Sequence, residues 1–263
     1  MICYGQTFLG NQSLKFWRTN LLVKNGAKSV KAKTKVFLRK EETMPKIRSG
    51  KIPRTDQHIF DMIDDEIKAY TIGLIAADGN ITKRGGGISI TLTKDDRYIL
   101  DQILTELLDG QGHILESKKT TGKYTVTLQF SGMALKNRLA DFGVVPNKGI
   151  LMDRLSTLIP EEYYHHYLRG LYDGDGICAK SNSRVRVGFC GANKDFVADY
   201  QSFFINNLGM ARTKLFNTGG CWQCSWAKET DLRVFYDYIY KDATIFLGRK
   251  KHKLEKFLHE KKL

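Results

Sequence analysis

The chain has 263 residues, 42% of them apolar and 27% charged, with a formal net charge of +14 and a pI near 9.5. That is enough for one large domain or two small ones with real cores, and too apolar for wholesale disorder. The basic excess makes a polyanion, above all nucleic acid, the leading partner, and no apolar run reaches the roughly 18 residues of a spanning helix.

The N-terminus, Met1-Ile-Cys-Tyr-Gly-Gln, has neither the charged region nor the apolar stretch of a signal peptide, so a cytoplasmic location is expected. Residues 1–60 read as a basic arm or small accessory module: lysines and arginines recur from Lys15 to Arg54, and Glu41 and Glu42 are the only acids in that span. Such a segment suits a clamp on a DNA backbone, where charge density matters more than fold. The five cysteines, Cys3, Cys178, Cys190, Cys221 and Cys224, are odd in number and irregularly spaced, which argues for a reducing compartment. Cys221-Trp-Gln-Cys224 has the spacing of half a zinc site, but no second pair accompanies it. It reads better as a short strand with one cysteine facing in and one near a turn.

From residue 61 the pattern tightens. A helix over 63–77 ends in Asp78-Gly79, and residues 87–93 alternate as a strand. A helix is expected over 96–108, strands over 112–117 and 124–130, and a helix over 133–142 capped by Gly143. The same order then recurs. A helix over 161–174 follows Pro160, has Glu161 and Glu162 in its first turn, and ends in Asp175-Gly176. A strand over 184–189, a helix over 196–208 capped by Gly209, strands over 213–217 and 222–227, and a helix over 232–240 complete it. The fold expected is therefore α+β, a tandem pseudo-two-fold repeat of αββαββα units with antiparallel sheets. Its first half covers 61–155 and its second 156–263.

The two copies of the repeat peak at Thr71-Ile-Gly-Leu-Ile-Ala-Ala-Asp78-Gly79 and Leu168-Arg-Gly-Leu-Tyr-Asp-Gly-Asp175-Gly176. Gly73 with Ala77, and Gly170 with Gly174, lie four apart and so share a helix face. Small residues in that pattern let two helix backbones approach closely, as they do between membrane helices. Two such helices packed near a pseudo-dyad would set Asp78 beside Asp175. Bare carboxylates so placed repel each other. A divalent cation relieves this, and hard oxygen ligands suit Mg²⁺, with paired metals a recurring device for phosphodiester cleavage. An Asp-Gly after a helix is often only a turn. Two of them at equivalent points of a duplicated, basic chain are what point to function.

These motifs resemble the LAGLIDADG homing endonucleases of the single-chain, two-motif kind, and the resemblance runs over about 59–258. Lys68-Ala-Tyr-Thr-Ile-Gly-Leu-Ile-Ala-Ala-Asp-Gly and Phe142-Gly-Val-Val-Pro-Asn-Lys148 are similar to phrases of bacterial and phage members. The resemblance implies metal binding by Asp78 and Asp175, each helped by the carbonyl before it, at Ala77 and Gly174. It also implies an accessory catalytic lysine after the last helix of each half: Lys148 in the first, and Lys250, with Lys251 next, in the second. The family's sixth motif position is often acidic. Here it is Ala76 in one copy and Asp173 in the other, so Asp173 is read as structural. A polar residue is expected near the end of each half's second strand, where Thr93, Lys94, Gly191 and Asn193 lie.

The implied activity is Mg²⁺-dependent hydrolysis of both strands of a long, roughly palindromic duplex, with a staggered cut across the minor groove. Ca²⁺ would support binding without cleavage. The implied shape is a DNA-binding saddle in which each sheet lies in a major groove. The candidate contacts are Lys83, Arg84, Ser89, Thr91, Thr93, Lys118, Lys119, Thr125, Thr127 and Gln129 in the first half. In the second they are Lys180, Ser183, Arg184, Arg186, Lys214, Asn217, Gln223 and Ser225. The protein is expected to act on double-stranded DNA as a monomer, without a membrane, in a bacterial or phage-infected cell or an organelle. A maturase or DNA-binding regulator on the same fold would not need both acids, and an intein would need splicing residues at its ends. His165-His166 lacks the glutamate spacing of a zinc enzyme, and Gly85-Gly-Gly87 reads as a hairpin turn rather than a phosphate loop.

Overall fold

In the computed structural model of the chain, residues 55–120, 122–181 and 184–260 are described. Two helices form its centre. Helix α1, Glu66–Asp78, starts at Asp65, whose side chain accepts from the Lys68 amide at 2.8 Å. It is buried without a break from Ala69 to Ala76. Helix α5, Glu161–Asp175, is buried from His165 to Asp173. A helix covered all round belongs in a core rather than at its edge, and these two pack on each other.

Each central helix is followed by the same set of elements. After α1 come β1 (Gly79–Ile81), β2 (Gly87–Thr93), α2 (Arg97–Gln102), β3 (His113–Lys118), β4 (Tyr124–Ser131), α3 (Met133–Asp141) and a short α4 (Lys148–Leu151). After α5 come β5 (Gly176–Ser181), β6 (Arg184–Gly191), α6 (Lys194–Leu208), β7 (Phe216–Thr218), β8 (Cys221–Trp226), α7 (Glu229–Ile239) and α8 (Gly248–Glu260). The strands form two four-stranded antiparallel sheets, in the orders β1-β2-β4-β3 and β5-β6-β8-β7. Identical order in both sheets is the structural form of the repeat expected from the sequence.

Alternation along the strands separates two faces. Ile88, Ile90 and Leu92 register with Phe130, Leu128 and Val126, and all six are buried. Val187 and Phe189 register with Trp226 and Cys224 in the same way. The opposite face of the first sheet carries Asn80, Ser89, Thr91, Thr93, Thr127 and Gln129, a polar and uncharged surface.

Several boundaries differ from expectation. The helix expected over 96–108 opens as a 3-10 turn at Lys94–Asp96 and relaxes to a π-helix over Ile103–Leu107, with the Leu108 amide bonded to the Ile103 carbonyl at 3.1 Å. The strand expected over 213–217 forms only at Phe216–Thr218, closed by a turn in which Gly219 and Gly220 both have positive φ. Helices α4 and α8 were not anticipated, because α4 has four residues and the residues of α8 are mostly charged. Gly143 and Gly209 do end helices with positive φ. Residues 1–54 of the basic arm lie outside the described residues. Its end packs on the first half: Phe60 is fully buried, and Thr55 donates from its amide to the Ser131 carbonyl at 3.0 Å.

Candidate active site

The seam between α1 and α5 is made by glycines. A methyl group added at Gly73 would run into the Tyr167 carbonyl and reach within 2.9 Å of the Leu171 nitrogen. One added at Gly170 would strike the Tyr70 carbonyl and reach within 2.8 Å of the Leu74 nitrogen. The two contacts are reciprocal, as a pseudo-two-fold axis requires, so the helices touch backbone to backbone. At the C-terminal end of the seam, a methyl at Gly174 would strike the Ala77 side chain and lie 3.4 Å from Asp78 Cγ. The helix ends therefore bring Asp78 and Asp175 to the same place.

Both carboxyls are harder to ionise than a free aspartate. Surrounding protein raises the pKa of Asp78, opposed by Lys250, Lys148 and Arg249 in that order, although its side chain still opens to solvent. Asp175 is half-buried and is pushed up to about 6, first by burial and then by the negative charge of Asp78. Repulsion between two nearby carboxylates is what this chemistry requires of a bare pair.

Two lysines close the site from behind. Lys148 Nζ donates to the Ala77 carbonyl at 3.0 Å and to that of Gly79, on either side of Asp78. Lys250 Nζ donates to the carbonyls of Tyr172, Gly174 (3.4 Å) and Gly176 (2.8 Å), the last two on either side of Asp175. Lys250 is buried, and burial pulls its pKa down to about 8. Burial lowers that of Lys148 as well. Lys251, the alternative candidate, instead lies over the Phe246 ring at 4.1 Å and pairs with Glu255.

Asp173 is fully buried behind the site. It accepts from the Tyr70 hydroxyl at 2.9 Å and from the Leu247 amide at 2.8 Å, which ties α1, α5 and the approach to α8 together. A second buried group was not anticipated: Arg169, fully buried, donates to the carbonyls of Ile239 and Ile245, each at 2.9 Å, and to Glu66 at the start of α1. Its place in the motif, beside a glycine on a helix meant for close packing, gave no sequence signal for a buried charge. His165 and His166 are buried with their pKa values lowered by burial, that of His166 to about 3.

The remaining candidates divide by position. Ser89, Thr91, Thr93, Thr127 and Gln129 share the face of the first sheet turned from its core, and Thr91 and Thr127 hydrogen-bond each other at 2.9 Å. Thr125 is on that face but buried, with Ser117 across from it at 3.0 Å. Lys83 and Arg84 sit exposed in the β1–β2 turn, and Lys119 in the β3–β4 turn. In the second sheet Arg186, Gln223 and Ser225 lie on the corresponding face. Lys118, Lys180 and Asn217 register with Tyr124, Val185 and Trp222, on the other parity, and Asn217 accepts from the Gly220 amide to close its turn. Lys214 is exposed ahead of β7. Ser183 and the side chain of Arg184 lie outside the described residues. Cys221 and Cys224 fall on opposite faces, with Cys224 fully buried. Among the described residues no group of three or more His, Cys, Asp or Glu side chains could hold a metal, and no helix is long and apolar enough to cross a membrane.

Four further residues adjoin the site. Cys190 donates from its thiol to the Asp175 carbonyl at 3.1 Å. Asp96 and Tyr98 contact the start of α8, and Asn193 contacts α4. Of these, Asn193 stood in the strand-end region singled out from the sequence. Asp96 and Tyr98 could have been found only by aligning the segments that follow β2 and β6, and Cys190 lies within β6 itself.

No protein-family model matches the chain, and no curated protein matches it in sequence. Solved structures do. The LAGLIDADG meganuclease I-AabMI bound to uncleaved DNA superposes with a TM-score of 0.50 at 13% identity, covering 73% of this chain and 89% of that one. The meganuclease I-SmaMI bound to uncleaveable DNA gives 0.50 at 13% identity over 74% and 90%. Full-length DUF199/WhiA from Thermatoga maritima gives 0.50 at 14% identity over 79% and 65%. Identities this low speak for the fold alone, and a fold hosts more than one activity. The chain has the fold of the LAGLIDADG homing endonucleases, with both repeats in one polypeptide.

Proposed function

We propose that the protein is a site-specific DNA endonuclease that cuts both strands of a long, roughly palindromic duplex by divalent-metal-dependent hydrolysis. The observation that carries this reading is the meeting of Asp78 and Asp175 at the glycine seam, flanked by two buried-side lysines, in a chain of net charge +14. Its two fold relatives named as meganucleases were captured on DNA.

The donor set fits a hard cation. Two carboxylates whose ionisation is opposed by burial, and for Asp175 also by the charge of Asp78, gain from a positive charge between them. The carbonyls of Ala77 and Gly174 each accept one lysine hydrogen bond and keep a second lone pair. A set with few protein ligands suits Mg²⁺, which fills its remaining positions with water and phosphate oxygens. When bound, such a cation supplies Lewis-acid stabilisation and a more acidic water.

The chain's own residues do the rest. Asp78 and Asp175 would hold the cation against which the reacting phosphates are placed at the pseudo-dyad. Lys148 and Lys250 place positive charge near the phosphate oxygens, where negative charge builds up. The polar sheet faces, with Ser89, Thr91, Gln129, Gln223 and Ser225, meet base edges, while Lys83, Arg84, Lys119 and Arg186 hold the backbone. Unlike residues on the two sheets give a target whose halves are similar but not identical. The protein acts as a monomer, since both halves are in one chain.

Asp78→Asn and Asp175→Asn test this directly on a randomised duplex library with Mg²⁺. Each variant is expected to lose cleavage of at least one strand while binding stays largely intact. Full double-strand cleavage by either would sink the assignment.

A further inference from the structure

The proposed function leaves two neighbouring thiols unused. Cys190 lies on β6 opposite Gln223 on β8, and Cys221 stands two residues before Gln223 on the same strand. Residues two apart on a strand share a face, so both cysteines lie on the face of the second sheet that carries Arg186, Gln223 and Ser225. They are diagonal neighbours across one strand pair, and the Cys190 thiol has the Cys221 thiol as a hydrogen-bonding partner. Both are half-buried and free. Cys178 and Cys224 differ, since they register with Val187 and Phe189 on the core face. The Cys190 thiol also donates to the Asp175 carbonyl at 3.1 Å, so the pair reaches the candidate active site. At its other end the pair meets a turn. Cys221 follows Gly219 and Gly220, both exposed and both with positive φ, and the β6–β8 ladder stops at Gly191 and Trp222. Cys221 therefore has no partner opposite it on β6, and is free to make the small shift that brings a diagonal pair to disulfide distance.

We propose that Cys190 and Cys221 are a modification site, forming a reversible disulfide that slows the reaction at Asp175 under oxidising conditions. The co-reactant is a small disulfide such as oxidised glutathione. Cys221, beside the exposed turn, attacks one sulfur of that reagent. The reagent's S–S bond breaks, a mixed disulfide forms on Cys221, and one glutathione leaves as a thiol. Cys190 then attacks the Cys221 sulfur, the bond between the two cysteines forms, and the second glutathione leaves. The two protein thiols are oxidised, the reagent is reduced to two thiols, and the two thiol protons end on them. Burial pushes the Cys190 thiol up to about 12, which makes the second exchange the slow one. The bond has two local effects. A disulfide sulfur has no hydrogen to donate, so the Asp175 carbonyl loses its Cys190 partner. The cross-link also draws the start of β8 toward β6 beside Gln223, on the face proposed to meet DNA. In a reducing compartment such a bond is transient, the behaviour of a sensor rather than of a structural cross-link.

The bond itself stands apart from the nuclease reading, while its effect on cleavage rests on that reading. The full chain is incubated for hours with excess oxidised glutathione, its remaining thiols are alkylated, and its tryptic peptides are mapped by mass spectrometry. A species joining the Cys190 and Cys221 peptides, lighter by two hydrogens than their sum, is expected, and dithiothreitol should release it. Cys224 shares the tryptic peptide of Cys221, so two variants decide which sulfur is joined. Cys221→Ser is expected to abolish the link and Cys224→Ala to keep it. If Cys224→Ala fails to fold, fragmentation of the wild-type peptide between Cys221 and Cys224 assigns the sulfur. Cleavage of a duplex selected from a randomised library with Mg²⁺ is then followed on each strand. The oxidised wild type should cut the strand served by Asp175, identified with Asp175→Asn, at least about tenfold more slowly than the reduced chain. Cys221→Ser should keep its rate in the same reagent. Mixed disulfides alone, or a link to Cys224, would overturn the bond. A Cys190–Cys221 link that leaves both strands cut at the reduced rate would overturn its effect on the site. If the link forms but the reduced wild type cuts no duplex, the nuclease reading fails and takes that effect with it, while the bond stands.

Discussion

Gly73 and Gly170 face each other across the α1–α5 seam, and the space a side chain at either would need is filled by the backbone of the opposite helix. A methyl at either position meets main-chain atoms, which cannot rotate away as a side chain can.

Gly73→Ala and Gly170→Ala are therefore expected to force the helices apart. Overpacking of a well-filled core costs about 1–3 kcal/mol, and backbone contact puts these sites at the upper end or beyond. Urea unfolding would show a lowered midpoint. Cleavage should fall further than stability alone accounts for, because the same seam sets the spacing of Asp78 and Asp175.

The raised pKa of Asp175 predicts a pH-dependent stability in the absence of metal. The folded value is about 6 and the reference value 3.8, so between those pH values the folded chain holds a proton that the unfolded chain has released. Stability therefore falls as pH rises through that window and stays lower above it. Asp175→Asn removes the penalty. In EDTA at pH 8 it should be more stable than the wild type by about 1–2 kcal/mol, allowing for partial solvent access. At pH 4 the two should melt together.

Added Mg²⁺ or Ca²⁺ should reverse that penalty without any DNA present. Binding to the folded state alone stabilises by about 2.7 kcal/mol at a hundredfold excess over Kd. The melting temperature of the wild type should rise with metal concentration. The Asp78→Asn/Asp175→Asn double variant should show no such rise, and an equal rise would place the metal elsewhere.

Glu66 receives Arg169 and three donors from Thr244 and Ile245, so it neutralises a fully buried guanidinium and joins α1 to the second half. Glu66→Ala leaves that charge unpaired, at a cost of about 3–5 kcal/mol. Chemical denaturation should show this loss. Arg169→Met on the Glu66→Ala background should recover part of it, since the buried charge is then gone.

The repeat was legible because it is written locally. Apolar periodicity, the glycines at 73, 170 and 174, and the two Asp-Gly ends each depend on a few neighbouring residues, and each copy confirms the other. The glycine stripe also carried a long-range message: a residue without a side chain at four-residue spacing allows close helix approach wherever its partner lies. Helix α8 was missed because its charged residues hide a buried stripe at Lys250, Leu254, Phe257 and Leu258.

By itself, the sequence determined the duplicated α+β architecture and named the two acids. Only the tertiary structure decided what surrounds them. That Asp173 is enclosed by Tyr70 and Leu247, that Arg169 is buried on Glu66, and that Lys118, Lys180 and Asn217 register away from their expected companions all follow from strand register and helix docking. The same is true of the tethers that run from Asp96 and Tyr98 to α8 and from Asn193 to α4. Side-chain periodicity reports which way a residue faces within its own element. Contacts such as Tyr98 to Gly248, separated by 150 positions, depend on how two finished halves pack, and no local pattern encodes that.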